Sequence, residues 1–298
     1  MRGITVKVAI VGCGEVGRAY AAAAAVAGYD IVLVDPHPAA AALALADDLG
    51  IAINPSPVGC VGGVDRLWIC VAGDLVKMIC ASLIGELPPG TIVVDLTTAS
   101  AADKRACASM LSQQGIDYVD VVIMGSVSTT GARTALLAAG DRADTVLADF
   151  AAFGAPVTAM SDGHPGDAAA VKLLRTILTK GLESLAIECF MAAEKQGLRK
   201  ALYQQLGDFD ATGFVNFLEM LVTSHIQHAG RRMHEVQRAQ SQLAEIGCPS
   251  LVLAGSEARF AVTVDALAEA PAVPSDGDVD DAVAWLLRST RTAAEIPT

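Results

Sequence analysis

One short segment near the start of the chain constrains the fold more than any other. Residues 6–11, VKVAIV, have the β-branched composition of a strand, residues 12–17 carry the pattern G-x-G-x-x-G, and the alanine-rich residues 18–27 favour a helix. The first glycine permits a tight turn, the second lets a pyrophosphate approach the backbone, and the third lets helix and strand pack closely. We therefore predict a dinucleotide site at the positive end of this helix. Its residues would be Gly12, Gly14, Glu15, Val16 and Gly17.

The acidic residue at the end of the second predicted strand decides between two cofactors. The strand DIVLVD ends in Asp35, 18 residues after Gly17. A carboxylate there can bind both ribose hydroxyls of the adenosine but repels a 2′-phosphate, and neither Pro36 nor His37 supplies an arginine for that phosphate. We therefore predict NAD rather than NADP. The alternative to a cofactor site is a tight strand-to-helix turn at Gly12 to Gly17, with Asp35 as a strand-end cap. The presence of the strand, the glycines, the helix and the acid together favours the cofactor site.

Strands and helices continue to alternate through the first half of the chain. Strand-like runs are found at 66–71, 91–96 and 118–123, with helix-like runs at 75–85 and 101–114. This alternation predicts a doubly wound (Rossmann) parallel sheet with ligand sites at the carboxyl ends of its strands. Small or hydroxyl-bearing residues are expected there, although they are also ordinary in turns. They are Val71, Ala72 and Thr98 for the cofactor, and Thr98, Met124, Gly125 and Ser126 for the substrate.

The second half of the chain favours helices. A long helix is predicted from Asp167 to about Gln196, and the remainder has helical periodicity with few strand-like runs. The fold class is therefore α/β, a Rossmann domain at 1–164 followed by an all-α domain at 165–298 in which 165–196 is the interdomain helix. A small helical domain rich in apolar positions commonly completes its core against a partner. We therefore expect a homodimer whose active site lies between the domains.

Composition and charge exclude several classes of protein. The net charge of −12 and the absence of a Lys/Arg cluster argue against nucleic acid as a partner. No apolar run approaches the roughly 18 residues of a membrane span, and glycines interrupt the N-terminal apolar run, so we expect a cytoplasmic protein without a membrane partner. Seven cysteines without a C-x-x-C pair indicate buried thiols in a reducing compartment, and no metal site is expected.

Four motifs, in the right order, resemble those of the β-hydroxyacid dehydrogenase family, which includes 3-hydroxyisobutyrate and 6-phosphogluconate dehydrogenases. VGCGEVGRAYA resembles the cofactor loop, DLTTAS at 95–100 is similar to the family's D-x-[ST]-T segment, and DVVIMGSV at 120–127 occupies the place of the substrate loop. GHPGDAAAVKLLRT resembles the catalytic helix G-x-x-G-x-x-x-K-x-x-x-N with one extra residue before the lysine. The resemblance implies that Lys172 is the catalytic residue.

Departures from the family pattern indicate a different substrate. Met124-Gly125-Ser126 replaces Ser-Gly-Gly, and Thr176 stands where the substrate-binding asparagine is expected. Thr179 occupies the place of the glutamate that serves as an acid in 6-phosphogluconate dehydrogenase, which argues against decarboxylation. Imine reductases share the fold but usually lack the lysine, so Lys172 counts against that activity.

A fifth motif lies in the second half of the chain. The segment at 224–247 resembles the H-x-x-R-R-x-x-E motif in the helical domain of a poorly characterised phosphogluconate-dehydrogenase-like group. Arg231 or Arg232 could bind an anionic substrate group, and His228 could hydrogen-bond to the substrate. Pairing of the arginines with Glu235 and other acids is about equally consistent with the sequence. His225 and His228 share a helical face, but they have no third ligand for a metal.

The position of Lys172 favours acid–base chemistry. It shares a polar face of its helix with Thr176, Thr179 and Glu183, and apolar residues flank this face, although a solvated face is the commoner arrangement for a helical charge. Partial desolvation lowers the pKa of an ammonium group toward neutrality. Lys180, which lies about 80° around the helix from Lys172, and Glu183 are rival candidates.

These observations predict an NAD-dependent oxidoreductase, a dehydrogenase or reductase acting on CH–OH groups. It would transfer a hydride between the nicotinamide and the hydroxyl-bearing carbon of a small hydroxy acid or sugar acid, with Lys172 as general acid and base. Oxidation coupled to isomerisation or decarboxylation of a sugar acid is one alternative. A protein that senses NAD or NADH without turnover is another, and it would need no lysine.

Overall fold

The computed structural model describes residues 6–207, 212–269 and 278–289. The chain divides into two compact units, Met1–Ile177 and Leu178–Thr298. The first is an α/β unit, and the described part of the second contains only helices. The division falls within the helix Asp167–Lys195, whose first residue lies close to the predicted start of the interdomain helix.

The first unit is built on a sheet of eight strands. They are β1 (Lys7–Val11), β2 (Asp30–Val34), β3 (Ile53–Asn54), β4 (Arg66–Ile69), β5 (Ile92–Asp95), β6 (Asp117–Ile123), β7 (Leu136–Ala139) and β8 (Val157–Ala159). The helices are α1 (Glu15–Val26), α2 (Ala40–Leu49), α3 (Val76–Ser82), α4 (Ala101–Ser112), α5 (Val127–Thr130), α6 (Ala143–Ala151) and the first part of α7 (Asp167–Lys195). Single 3-10 turns, Gly73–Leu75 and Gly131–Arg133, precede α3 and β7. The predicted Rossmann fold is thereby confirmed.

The strand order is β3-β2-β1-β4-β5-β6-β7-β8. All neighbouring strands are parallel except β6 and β7, which pair antiparallel. The order reverses at β1, so that β1 and β4 are neighbours and the loops after both strands lie at the same edge of the sheet. Doubly wound folds bind their ligands at this switch point.

Apolar side chains cover both faces of the sheet. One face packs against α1 and α6 through an aromatic cluster in which the Trp68 and Phe150 rings lie 5.0 Å apart and Tyr20 meets Phe150 edge to face. The other face packs against α3 and α4 through residues such as Leu83 and Leu111. Because both faces are buried, the central strands are continuous apolar runs rather than alternating ones.

The structure adds elements that the sequence interpretation missed. α2, α6 and the strands β3, β7 and β8 were not predicted, and the antiparallel β7 departs from the expected parallel sheet. The connection from β6 to β7 contains only single helical turns, α5 and Gly131–Arg133, which is too little for the crossover that a parallel strand needs. The strand β7 itself, LLAA, lacks the β-branched residues that signal a strand.

The second unit contains, besides the rest of α7, the helices α8 (Arg199–Gln205), α9 (Phe214–Glu245), α10 (Leu253–Glu269) and α11 (Val279–Ser289). Its core joins α9 to α11, because Ile226 on α9 packs with Ala282 and Trp285 on α11. The helical content agrees with the prediction for this half of the chain. Within the described residues, none of the helices combines the length and the hydrophobicity that a membrane span requires.

All seven cysteines are free thiols. Cys13, Cys70, Cys80 and Cys107 are buried, as expected. Cys189 is exposed, contrary to that expectation, because it lies on a part of α7 whose side chains are mostly exposed.

Candidate cofactor and active site

The glycines of the first loop meet three different requirements. Gly12 has φ +93°, and a Cβ atom there would lie 2.8 Å from the carbonyl oxygen of Cys70. At Gly17, a Cβ would lie 1.9 Å from the carbonyl oxygen of Gly12, so only glycine lets α1 pack against the turn. Gly14 has open space around its Cβ position. Packing therefore requires glycine at positions 12 and 17, whereas at Gly14 the backbone is open to a ligand.

This open position lies at the start of α1. The helix begins at Glu15, and the N-cap residue Gly14 provides no side chain to accept a hydrogen bond from the first turn. The N–H groups at a helix start point outward and attract anions. Glu15 is exposed, whereas Val16 packs against the core beside Gly17. The loop therefore fits the pyrophosphate of a dinucleotide.

Asp35 is held at the same loop by two backbone hydrogen bonds. One carboxylate oxygen accepts from the Cys13 N–H at 2.8 Å, and the other accepts from the His37 N–H at 2.9 Å. Burial and the charge of Asp35 raise the pKa of the Cys13 thiol to about 11, so the thiol remains protonated. Asp35 does cap the end of β2, but each carboxylate oxygen keeps a further lone pair for a ribose hydroxyl.

The loops after β4 and β5 pack closely against each other. A Cβ at Gly73 would lie 2.6 Å from the Ala99 backbone nitrogen, so no other residue fits there. Asp95 fixes the loop after β5 by accepting a hydrogen bond from the Thr97 N–H at 2.7 Å. Ala72 and Thr98 are exposed and Val71 is half-buried at this edge. The predicted cofactor residues of these strands thus lie on adjoining loops.

The predicted substrate residues after β6 form a separate turn. Met124 is half-buried and its N–H donates to the Ala135 carbonyl at 2.8 Å. Gly125 and Ser126 are exposed, and the hydroxyl groups of Ser126 and Ser128 lie 2.6 Å apart. The turn therefore presents one apolar and two hydroxyl side chains at the carboxyl end of β6.

A buried network of charges, which the sequence interpretation missed, lies between β5, β6 and α4. The fully buried Lys104 ammonium donates to Asp120 Oδ1 at 2.7 Å and lies 3.5 Å from Asp95 Oδ2. The Tyr118 hydroxyl donates to Asp95, and burial raises its pKa well above the ordinary value. The sequence could have indicated that Lys104 is buried, because it shares a helical face with the apolar residues Cys107 and Leu111.

Asp120 also fixes the start of α7. Its second carboxylate oxygen accepts hydrogen bonds from the backbone N–H groups of Gly166 at 3.1 Å and Ala169 at 2.9 Å. A carboxylate at a helix N-terminus satisfies free N–H groups and interacts favourably with the helix dipole. Lys172 lies three residues beyond Ala169. The sheet therefore sets the position of the helical turn that carries Lys172.

Lys172 itself is half-buried. Burial lowers its pKa, the charge of Lys104 lowers it further, and Asp120 opposes this shift. Among the described residues, its ammonium forms no hydrogen bond or ion pair. Its backbone carbonyl accepts from the Thr176 hydroxyl at 2.9 Å, and Thr176 is exposed. By contrast, the exposed Lys180 forms an ion pair with Glu183 at 2.5 Å, so the rival lysine already has a partner.

The remaining predicted substrate residues belong to the second unit. Arg231 is exposed and pairs with Glu235 one turn along α9. Arg232 is half-buried and donates to the Ser224 hydroxyl at 2.9 Å. His228 is exposed, whereas His225 contacts the Thr263 hydroxyl at 2.8 Å. No group of three metal-ligating side chains occurs within the described residues.

Comparison with known proteins identifies the family. Residues 7–161, more than half of the chain, match the family model described as the NAD binding domain of 6-phosphogluconate dehydrogenase. The chain belongs to this family. The resemblance to β-hydroxyacid dehydrogenases is thereby confirmed, and the first unit is an NAD-binding domain. Residues 193–262 match a second model, which is described only as a domain of unknown function.

Two groups of relatives match part of this chain. A probable 3-hydroxyisobutyrate dehydrogenase from Mycobacterium tuberculosis is 27% identical over 198 residues, covering 64% of this chain and 65% of the relative. An uncharacterised 28.5 kDa protein from Methanothermus fervidus is 26% identical over 145 residues, covering 49% of this chain and 55% of that protein. The chain thus spans less than two thirds of these relatives.

Solved structures support the fold over nearly the whole chain. An imine reductase variant from Myxococcus stipitatus in complex with NAD⁺ superposes with a TM-score of 0.73 at 18% identity, covering 96% of this chain and 99% of that one. A conserved hypothetical protein from Sinorhizobium meliloti 1021 gives a TM-score of 0.60 at 22% identity, with coverages of 97% and 98%. At these identities the likeness shows the fold alone.

Proposed function

We propose that this protein is an NAD-dependent oxidoreductase that interconverts a small hydroxy acid or sugar acid and the corresponding carbonyl compound. The observation that carries this proposal is the setting of Lys172. It is a half-buried lysine without an ion partner among the described residues, and it lies one turn beyond the point where Asp120 fixes α7. The name of the mycobacterial relatives, probable 3-hydroxyisobutyrate dehydrogenase, supports the substrate class.

The first loop and the end of β2 would hold the cofactor. The N–H groups at the start of α1, with the open position at Gly14, would bind the pyrophosphate, and Asp35 would bind the adenosine ribose. Val71, Ala72 and Thr98 would line the path toward the nicotinamide. When bound, NAD supplies the hydride chemistry at C4 of its nicotinamide ring.

Lys172 would move the proton. In oxidation, its neutral amine takes the proton of the substrate hydroxyl as the carbon loses its hydride, and a carbonyl group forms. In reduction, its ammonium returns this proton to the oxygen. Burial and the charge of Lys104 lower the pKa of Lys172, which makes the amine more accessible than in an ordinary lysine.

The turn after β6 and Thr176 would bind the substrate. Met124, Gly125 and Ser126 line the carboxyl end of β6, and the Thr176 hydroxyl lies one turn beyond Lys172 on α7. The substrate roles predicted for His228, Arg231 and Arg232, which belong to the second unit, stay predictions. Of the two arginines, Arg231 already pairs with Glu235, whereas Arg232 contacts the Ser224 hydroxyl.

We further propose that two copies of the chain associate. The second-unit part of α7 exposes several large apolar side chains, and burial of apolar surface against a partner is favourable. They are Leu182, Leu185, Ile187, Phe190 and Met191. Light scattering should give the mass of a dimer, and Met191→Lys should weaken the association. A wild-type protein that is monomeric at micromolar concentration would contradict this part of the proposal.

The test of the activity is NADH formation at 340 nm with NAD and a panel of hydroxy acids and sugar acids, for wild type and Lys172→Ala. We expect one substrate class to react and kcat to fall by about 10²-fold or more in the variant, the usual scale for a positioned acid–base group. Turnover that survives in the variant would refute the role of Lys172. NAD binding without turnover on any acid would favour a sensor, and carbon dioxide release with the oxidation would favour decarboxylation.

A further inference from the structure

Three basic side chains meet where α9 packs against α10 in the second unit. His225 and Arg232 lie seven residues apart on α9 and therefore share a face, and Arg259 lies on α10. The Arg259 guanidinium donates to the Thr263 hydroxyl at 3.3 Å, and His225 Nε2 lies 2.8 Å from the same oxygen. Thr263 is buried, so this hydroxyl forms the floor of the cluster.

The two guanidinium groups have hydroxyl partners instead of carboxylates. Within the described part of the chain, Arg232 and Arg259 form no ion pair, and the hydroxyls of Ser224 and Thr263 are their side-chain contacts. This is unusual in a protein with a net charge of −12. Other arginines of the chain do have acidic partners: Arg66, Arg105, Arg142, Arg199 and Arg231.

The nearby acid on α10 does not neutralise the cluster. Both carboxylate oxygens of Glu257 accept hydrogen bonds at 2.7 Å from the amide groups of Gln237 and Gln240. Glu235, the acid closest to Arg232 along α9, pairs with Arg231. Neither of these two acids thus forms an ion pair with Arg232 or Arg259, and an external anion would supply the counter-charge.

The hydrogen bonds of Thr263 orient the donors. Its oxygen accepts from Arg259 and lies 2.8 Å from His225 Nε2, so one buried hydroxyl contacts both side chains. Burial lowers the pKa of His225, and the charges of Arg259 and Arg232 lower it further, which agrees with a neutral ring. Phe260 packs against this ring at 4.9 Å and restricts its rotation.

We propose that Arg232, Arg259 and His225 form a binding site for the carboxylate or phosphate group of a small molecule. Guanidinium groups bind both kinds of oxyanion through paired N–H donors. Arg259 is exposed and Arg232 is half-buried, so the site is open to solvent on one side and closed by Thr263 on the other. The site lies within the domain of unknown function except for Thr263, and it stands whether or not Lys172 is catalytic.

The test is a titration of His225 in the full-length protein. With ¹⁵N-labelled histidine there are five imidazoles to follow, and His225→Gln assigns the one of interest. Its pKa is measured in chloride, in inorganic phosphate and in acetate at equal ionic strength. We expect phosphate or acetate to raise the pKa of His225 in a saturable way, because a bound anion favours the charged ring. The more effective of the two identifies the ligand group.

Arginine variants test whether the anion that shifts the pKa of His225 binds at Arg232 and Arg259. Arg232→Gln and Arg259→Gln should each weaken the anion's apparent affinity about tenfold or more, as expected for a lost charge-assisted hydrogen bond. In chloride, each variant should also raise the pKa of His225, since each removes a positive charge. The matched control is Arg199→Gln, because Arg199 on α8 pairs with Glu194 and its loss should leave the affinity unchanged.

Two results would overturn the site. One is a wild-type His225 whose pKa is the same in all three salts, a measurement that does not depend on any variant's folding. The other is an equal anion effect in Arg232→Gln, Arg259→Gln and Arg199→Gln, which would place the anion outside this cluster.

Discussion

Two regions of the NAD-binding unit each contain a desolvated lysine, and they treat it differently. Around Lys104, β5 and β6 supply two buried carboxylates, and the ammonium also lies 3.2 Å from the Asp95 carbonyl oxygen. Around Lys172, α7 supplies no acid to the ammonium, and the nearby charge of Lys104 opposes protonation. The comparison teaches that burial alone does not define a lysine's role: Lys104 has two carboxylate partners and stabilises the fold, whereas Lys172 has no ion pair among the described residues, which supports its proposed role in proton exchange.

The two regions are nevertheless connected through a single carboxylate. Asp120 neutralises Lys104 with one oxygen and holds the first turn of α7 with the other. Any movement of β6 relative to α4 would therefore also move the turn that precedes Lys172. The network around Lys104 thus helps to fix the backbone from which Lys172 extends, as the proposed acid–base role of Lys172 requires.

The largest effect is expected from Lys104→Met, which should lower the free energy of unfolding by about 3–5 kcal/mol, the usual cost of leaving a buried charge without its partner. Chemical denaturation followed by circular dichroism measures this loss. Lys77→Met is the matched control, because Lys77 pairs with Asp103 on the exposed side of the molecule and should contribute little. Equal stabilities of the two variants would show that the buried network does not organise the sheet.

Lys172→Arg separates charge from proton exchange. Arginine keeps the positive charge but does not deprotonate, so kcat should fall by about 10²-fold or more while the unfolding transition changes little. Steady-state kinetics with the substrate found in the panel measures the first quantity. Lys180→Arg, on the same helix, should retain nearly full activity because Lys180 pairs with Glu183. If Lys172→Arg turned over normally, Lys172 would provide only electrostatic attraction.

A smaller effect is expected at the adenosine end of the cofactor site. Asp35→Asn removes the negative charge near the predicted 2′ position and keeps an acceptor oxygen for one of the two backbone N–H groups. We expect the ratio of kcat/KM for NAD over NADP to fall about tenfold, the order of one charge-assisted hydrogen bond. Asp48→Asn, an exposed acid on α2, serves as the control. An unchanged ratio would mean that another group selects the cofactor.

The sequence predicts the parts of this molecule that are local. The loop of Gly12 to Gly17 is specified by consecutive residues, and Asp35 follows at the end of the next strand, so both were interpretable without a structure. The sequence does not reveal the direction of β7. That direction depends on whether the segment between β6 and β7 is long enough for the crossover that a parallel strand needs.

Long-range pairings were also beyond the sequence. Lys104 finds its partners on two strands, and Asp120 reaches Ala169 across 49 positions of sequence. Arg259 meets His225 through Thr263, which lies 38 positions away from the histidine. In each case the residues have no diagnostic spacing, because packing of separate helices and strands brings them together.

The pH dependence gives the finest test of the comparison between the two lysines. Because burial and Lys104 lower the pKa of Lys172, oxidation, which needs the amine, should rise with pH and level off below 10.5, the ordinary lysine value. Reduction, which needs the ammonium, should decrease over the same range. Both transitions should be absent from the residual activity of Lys172→Arg and unchanged in Lys180→Arg. A kinetic pKa at or above 10.5 would mean that the surroundings of Lys172 do not destabilise its charged form. The two lysines would then differ only in their ion pairs.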